Sequence, residues 1–153
     1  FSFSRLAWYL LQNKPIYQRP QLTEIGLSML VKKILQEEEE NLTIYRGSSH
    51  QTGFVERLVT LFSELRNGRI TPDDLLEMSN NEKIASVLGS EDFKRKISDL
   101  THLYKMYDKS LKGKYIERED LFHELTKHLK HHKELLENTY VFIDHYEHFA
   151  AQE

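Results

Sequence analysis

The residues Phe93, Ile97, Leu100, Leu103, Tyr104, Tyr107 and Leu111 constrain this chain most. Their spacings of three and four put them on one face of an α-helix, whereas a strand would scatter them over both faces. Ser90 can cap that helix and Gly113 can end it, which makes it the longest element expected. A long helix with one apolar stripe must bury the stripe against other elements, so a helical body is expected around it.

Other segments repeat the pattern. Ser4 can cap a short helix to about Gln12, after which Pro15 and Pro20 bracket a turn that cannot continue it. Thr23 caps a second helix with Ile25, Leu30, Val31, Ile34 and Leu35 on one face. That helix runs into the acids Glu37 to Glu40, which oppose the dipole at a carboxyl end, so the end is expected to fray and the acids to form a solvated face. The stretch from Tyr45 to Gly53 reads as a turn into a third helix, which carries Phe54, Leu58, Leu61, Phe62 and Leu65 and stops at Gly68. Thr71-Pro72-Asp73-Asp74 opens a short helix that runs out near Ser79-Asn80-Asn81, because a capping hydroxyl precedes proline and first-turn acids. A last helix near residues 117–131 buries Leu121, Phe122, Leu125 and Leu129. No repeat or flexible linker interrupts residues 23–132, which read as one helical body.

With 153 residues, 39% of them hydrophobic and 11% aromatic, the chain has material for one core. The absence of cysteine excludes a disulfide framework and thiolate metal sites, and fits a reducing compartment. No apolar stretch approaches the roughly 20 residues that cross a bilayer, so a soluble, cytoplasmic protein with no membrane partner is expected. A start at Phe1 rather than methionine reads as an excised piece of something longer.

The net charge of −3 argues against a protein that coats nucleic acid indiscriminately. The charge is uneven, however. Residues 1–23 hold Arg5, Lys14 and Arg19 without an acid, interleaved with Phe1, Phe3, Trp8, Tyr9 and Tyr17. Cations for phosphates beside aromatics for bases are what a single-strand-binding surface requires. The plainer alternative is an amphipathic helix that packs Leu6, Trp8, Leu10 and Leu11 inward.

Eight histidines invite a metal reading, chiefly at His123, His128, His131 and His132. The zincin arrangement needs two histidines four apart, and His123 and His128 are five apart. Glu124, His128 and His132 share a face, but the outer two lie about 12 Å apart along the axis. At most His128 and His132 could chelate an adventitious ion. Gly47 and Gly53 make no phosphate-binding loop, because no Gly-Lys-Ser/Thr tripeptide exists. At the other end Tyr140, Val141, Phe142 and Ile143 form an apolar run without alternation, which suits a strand buried on both faces, with Asp144 at its carboxyl end. A divalent ion there would sit near Asp144 and Glu147, and carboxylates suit magnesium.

The two ends together resemble a known family. The segment Ser4-Arg5-Leu6-Ala7-Trp8 is similar to Ser-Arg-Leu-Ala-Trp in the B subunit of the bacterial AddAB/RexAB helicase-nucleases, and the segment from Val141 to Glu153 is similar to that protein's Ile-Asp-Gly-Phe…Phe-Thr-Pro-Gln-Glu. Tyr45-Arg46-Gly47, the stretches Leu61 to Leu65 and Ile70 to Leu75, Ile97 to Leu100, Tyr104 and Tyr115-Ile116 follow the family pattern in order. The resemblance implies the layout of a superfamily 1 helicase. Residues 1–12 and 139–153 would be edges of a RecA-like domain, with 20–135 a helical, 1B-like insertion flanked by short segments of the RecA-like sheet. It also implies that Asp144 matches the magnesium-binding aspartate of a Walker B strand. Working motors follow that aspartate with a glutamate, whereas this chain has His145.

A histidine there is no permanent anion to position water, so hydrolysis should suffer, as in a degenerate motor that holds and scans DNA. The implied setting is double-strand break repair. DNA and the A subunit (AddA/RexA) would be partners in a heterodimer, and ATP and Mg would be cofactors of the parent. The fragment itself, without a phosphate-cradling loop or a nuclease carboxylate cluster, is expected to bind no cofactor and to catalyse nothing. Its expected role is to shape the DNA path and support the interface with the A subunit, with Arg5 pairing a phosphate and Trp8 stacking on a base. A free-standing helical protein-interaction module is the alternative, and a metal-dependent hydrolase a distant third.

Overall fold

The computed structural model describes residues 2–80, 91–116, 118–144 and 149. The described residues are mainly helical: α1 (Phe3–Leu11), α2 (Glu24–Glu37), α3 (Thr52–Asn67), α4 (Pro72–Asn80), α5 (Glu91–Leu111) and α6 (Arg118–His131), with short 3-10 turns between α1 and α2, between α2 and α3, and after α6. The one sheet-like feature among them is an isolated parallel bridge between Gln21 and Ile116.

The caps follow local chemistry. Thr23 accepts the Gly26 N–H on its hydroxyl at 3.2 Å and starts α2 as expected. At α4 the Thr71 hydroxyl accepts the Asp74 N–H at 3.1 Å, while the Asp74 carboxylate accepts the Thr71 N–H at 2.7 Å, a reciprocal pair that satisfies two otherwise orphaned donors. The Thr71 hydroxyl, which also donates to the Asp74 carboxylate at 2.6 Å, and then the Thr71 N–H hold the Asp74 carboxyl below the usual range. At α1 the cap is Ser2 rather than Ser4: the Ser2 hydroxyl accepts the Arg5 N–H, which starts the helix one residue beyond it. Ser90, expected to cap α5, lies outside the described residues.

Two cores result. The larger gathers Leu27, Val31, Ile34 and Leu35 of α2, Val55, Leu58 and Phe62 of α3, and Leu103, Tyr104, Tyr107 and Leu111 of α5. Phe62 lies between the two tyrosines, its ring 5.3 Å from Tyr104 and 5.1 Å from Tyr107. The buried Tyr104 hydroxyl donates to the Ile70 carbonyl at 2.8 Å, so burying it costs no unmet polar group. The smaller core places Ala7 and Leu11 of α1 against Ile116 and against Leu121 and Leu125 of α6.

Several expectations change. Ile25 does not join the buried face of α2 and stands 75% exposed, while Leu27 is buried instead. At about 100° per residue the two lie about 160° apart around the helix, so both cannot face the core. The acidic end of α2 is pinned rather than frayed. Glu38 bonds His102 at 2.7 Å and accepts from the Asn41 amide at 2.8 Å, and the Arg46 guanidinium donates to the carbonyls of Glu39 and Glu40. A cation at the carbonyls and a partner for one acid offset the dipole mismatch. α3 stops at Gly68, but the left-handed residue is Arg69, at φ 57°, and Gly68 stays in the right-handed region.

The strand expected at 140–143 is absent from the described residues. Tyr140, Val141, Phe142 and Ile143 have no ladder partner and are exposed, Phe142 by 89%. A strand exists only where a neighbour pairs its backbone, and the described chain offers no such neighbour.

Candidate nucleic-acid interface

The α1 helix has two faces. Ala7 and Leu11, one turn apart, are buried against α6, and Leu6 and Leu10 flank them half-buried. On the opposite arc stand Arg5, Trp8, Tyr9 and Gln12, all exposed. The inward packing of Leu6, Leu10 and Leu11 therefore holds, but Trp8 points out of the core with 52% of its surface accessible. Arg5 and Trp8, three residues apart, are neighbours on that arc, so a cation and a large π-face project from one rigid helix. Tyr9 extends the aromatic surface. The signal for it was its place next to Trp8 in a segment without acids.

Below the carboxyl end of α1 the chain turns through Pro15–Gln18, and a cleft of about 410 Å³ opens between that turn and α6. Lys14 and Arg19 line it from one side, Lys127 and His128 from the other. The His128 and His132 rings stand 4.4 Å apart, and burial first, then the neighbouring His132, holds the His128 pKa below the usual histidine value. His123 lines a different cleft, beside Arg66 and Tyr104, so the four helix histidines do not converge. Among the described residues no group of three His, Asp or Glu side chains could surround an ion.

The two ends of the described chain meet. The Phe3 ring lies 6.3 Å from Phe122 and 6.5 Å from Phe149, edge to face in both cases. Asp144 is exposed and follows directly on residues 140–143. It contributes one carboxylate and is not part of a ligand cluster among the described residues, so these residues alone do not build a magnesium site. His145 and Glu147 lie outside the described residues.

The residue that sequence reasoning passed over is Asp99. It is 3% exposed, and its carboxylate accepts the backbone N–H groups of Thr43, Ile44 and Tyr45 at 2.8 to 3.1 Å. It stitches the 42–47 loop to α5. A polar residue on a helix flank, two positions after Ile97, was the available signal, and it did not say which amides it would meet.

Architecture and surface define a mainly helical domain with one cation–aromatic face. No helix among the described residues is long and apolar enough to cross a membrane. The particular family follows from comparison: residues 1–153 match the family described as "ADDB, N-terminal", and the chain belongs to it. It is 35% identical over its whole length to the B subunit of the ATP-dependent helicase/deoxyribonuclease of Levilactobacillus brevis, and 38% identical over 99% of its length to that of Lacticaseibacillus casei. The corresponding protein of Latilactobacillus sakei is 36% identical over the whole chain. In each case the chain spans 12% of the relative's length.

Proposed function

We propose that this chain is the amino-terminal, helicase-like part of the B subunit of a helicase/deoxyribonuclease, where it shapes the path of DNA and performs no chemistry itself. The observation that carries this reading is the outward face of α1: Trp8 and Arg5 stand together on the side away from α6, where a single strand could stack a base and pair a phosphate. A tryptophan serving only the fold would be buried with Ala7 and Leu11, since its large apolar surface is worth most out of water.

The meeting of Phe3 with Phe149 supports the wider layout, in which both ends belong to one RecA-like sheet and residues 20–135 rise from it as a 1B-like insertion. In that layout the exposed residues 140–143 gain their ladder from strands of the full-length protein. Asp144 would then supply one carboxylate to magnesium, with ATP phosphates and water completing the shell. With His145 next in sequence, the site would hold a nucleotide better than hydrolyse it. The partners in this reading are DNA and the A subunit.

The test uses the full-length protein assembled with its partner. Trp8→Ala and Arg5→Ala should each weaken binding of a single-stranded oligonucleotide, Trp8→Ala by roughly 1–3 kcal/mol. Only Arg5→Ala should flatten the salt dependence, by about one phosphate contact. Unchanged binding in both variants sinks the assignment of α1 to DNA.

A further inference from the structure

We infer that a basic trough running from α4 and α5 to the foot of α1 is a second nucleic-acid contact, one that holds the phosphodiester backbone and leaves the bases to the α1 face. This rests on the reading of the chain as part of a DNA-handling protein.

The trough is built from three clefts that share walls. The first, of about 640 Å³, lies between the start of α4 and the α5 surface. It shares Arg66, Asp108, Lys112, Asp120 and His123 with a middle section of about 250 Å³. The middle section shares Ile16, Arg19 and Glu124 with the cleft under α1. Leu11 of α1 lines that last section, so the trough ends against the helix that carries Trp8.

Charge is concentrated there. In the first cleft Arg66, Arg69, Lys105, Lys109 and Lys112 face Asp73, Asp108 and Asp120, and in the last Lys14, Arg19 and Lys127 face only Glu124. Both ends are thus cationic on a protein whose net charge is −3. Asp108 and Asp120 are bound by the Arg66 guanidinium at 2.7 and 2.6 Å, which leaves the other cations of the first cleft uncompensated by them. Arg69, Lys105, Lys109 and Lys112 are all exposed, and no ion pair joins any of them to an acid among the described residues.

Lys105 and Lys109 lie one turn apart on α5 and Lys112 just beyond its end, so like charges crowd one side of a helix terminus whose dipole favours cations. They repeat every ~5 Å along the axis, close enough to follow successive phosphates of a strand. Arg69 is held in the left-handed region at φ 57°, a conformation unfavourable to a residue with a Cβ, and its side chain is exposed at the trough's edge. Tyr104 of the first cleft is buried with its hydroxyl engaged, so those walls offer cations and, for stacking, only the small exposed ring of His123. That favours backbone over bases.

Binding of a labelled single strand of about 20 nucleotides to the full-length protein, followed by anisotropy at salt from about 0.05 to 0.2 M, tests this. K105E/K109E should lower affinity on the order of tenfold or more, and a milder K105Q/K109Q should make log K against log salt shallower by about 1.5. Lys32→Glu, on exposed α2, should do neither. Arg69→Gly is the guard against misfolding, because glycine accepts that backbone: affinity should fall while the melting temperature does not. If these variants bind like the parent while Trp8→Ala is weakened, the trough is wrong and the α1 reading survives. If the parent protein itself fails to bind, both are lost. If the trough variants lose only a glutamate-rich peptide tested alongside, the occupant is a protein and the inference is overturned.

Discussion

The carboxylate of Asp99 accepts the backbone N–H of Ile44 at 2.8 Å, across 55 residues of chain. The same carboxylate takes the amides of Thr43 and Tyr45, so one side chain satisfies three consecutive donors that a loop would otherwise leave to water. The loop between α2 and α3 is fixed by this nest. Tyr45 can then stack on Phe54 at 4.8 Å and close the top of the larger core.

Asp99→Ala removes the one acceptor of three part-buried backbone N–H groups. It should destabilise the protein by about 2–3 kcal/mol, read as a lower midpoint in urea at unchanged slope. An unshifted midpoint would mean that the loop holds itself.

Arg66 of α3 reaches Asp108 of α5 and Asp120 of α6 with separate nitrogens, so it ties three helices through one planar fork. Lysine carries one point charge and cannot span both. Because both carboxylates are about a third or more exposed, Arg66→Lys should cost only about 1 kcal/mol. A double-mutant cycle with Asp120→Asn should recover part of that loss as coupling.

The Glu38 carboxyl is held below its ordinary value of 4.5, first by its hydrogen bond to His102, then by the Asn41 amide. A carboxyl whose folded pKa is depressed contributes stability above the unfolded value, and that contribution is lost as pH falls through the folded one. Acid unfolding should therefore be steeper below about pH 4.5 for the parent than for Glu38→Gln, with the two curves running parallel near neutrality. Parallel curves over the whole acid range would refute the linkage.

Fold and function should separate on α1. Leu11→Ala removes a buried side chain from the smaller core and should cost about 2–5 kcal/mol, whereas Trp8→Ala on the exposed arc should stay within about 0.5 kcal/mol. Thermal melts of the two variants distinguish a stacking surface from a packing residue.

Much of the fold was legible because helix signals are local. Thr23, Thr71 and Pro72 mark starts by chemistry within one turn, and the α5 stripe from Leu103 to Leu111 declares its own face through spacing. The family, too, could be seen in short ordered segments and is borne out over residues 1–153. Site residues were legible only as types: Arg5 and Trp8 announced a cation beside a ring, not which way either points.

Direction, partner and assembly were decided in three dimensions. The sequence by itself determined where helices begin and which residues could be buried, since those depend on neighbours three or four positions away. Only the tertiary structure settled that Ala7 and Leu11, not Trp8, meet α6, that Leu27 displaces Ile25, that Asp99 finds the amides of 43–45, and that cations from separate segments line adjoining clefts. The physical reason is range. A cap or a stripe is complete within one turn, whereas a buried carboxylate, a paired strand or a charged groove exists only when distant parts of the chain supply the other half.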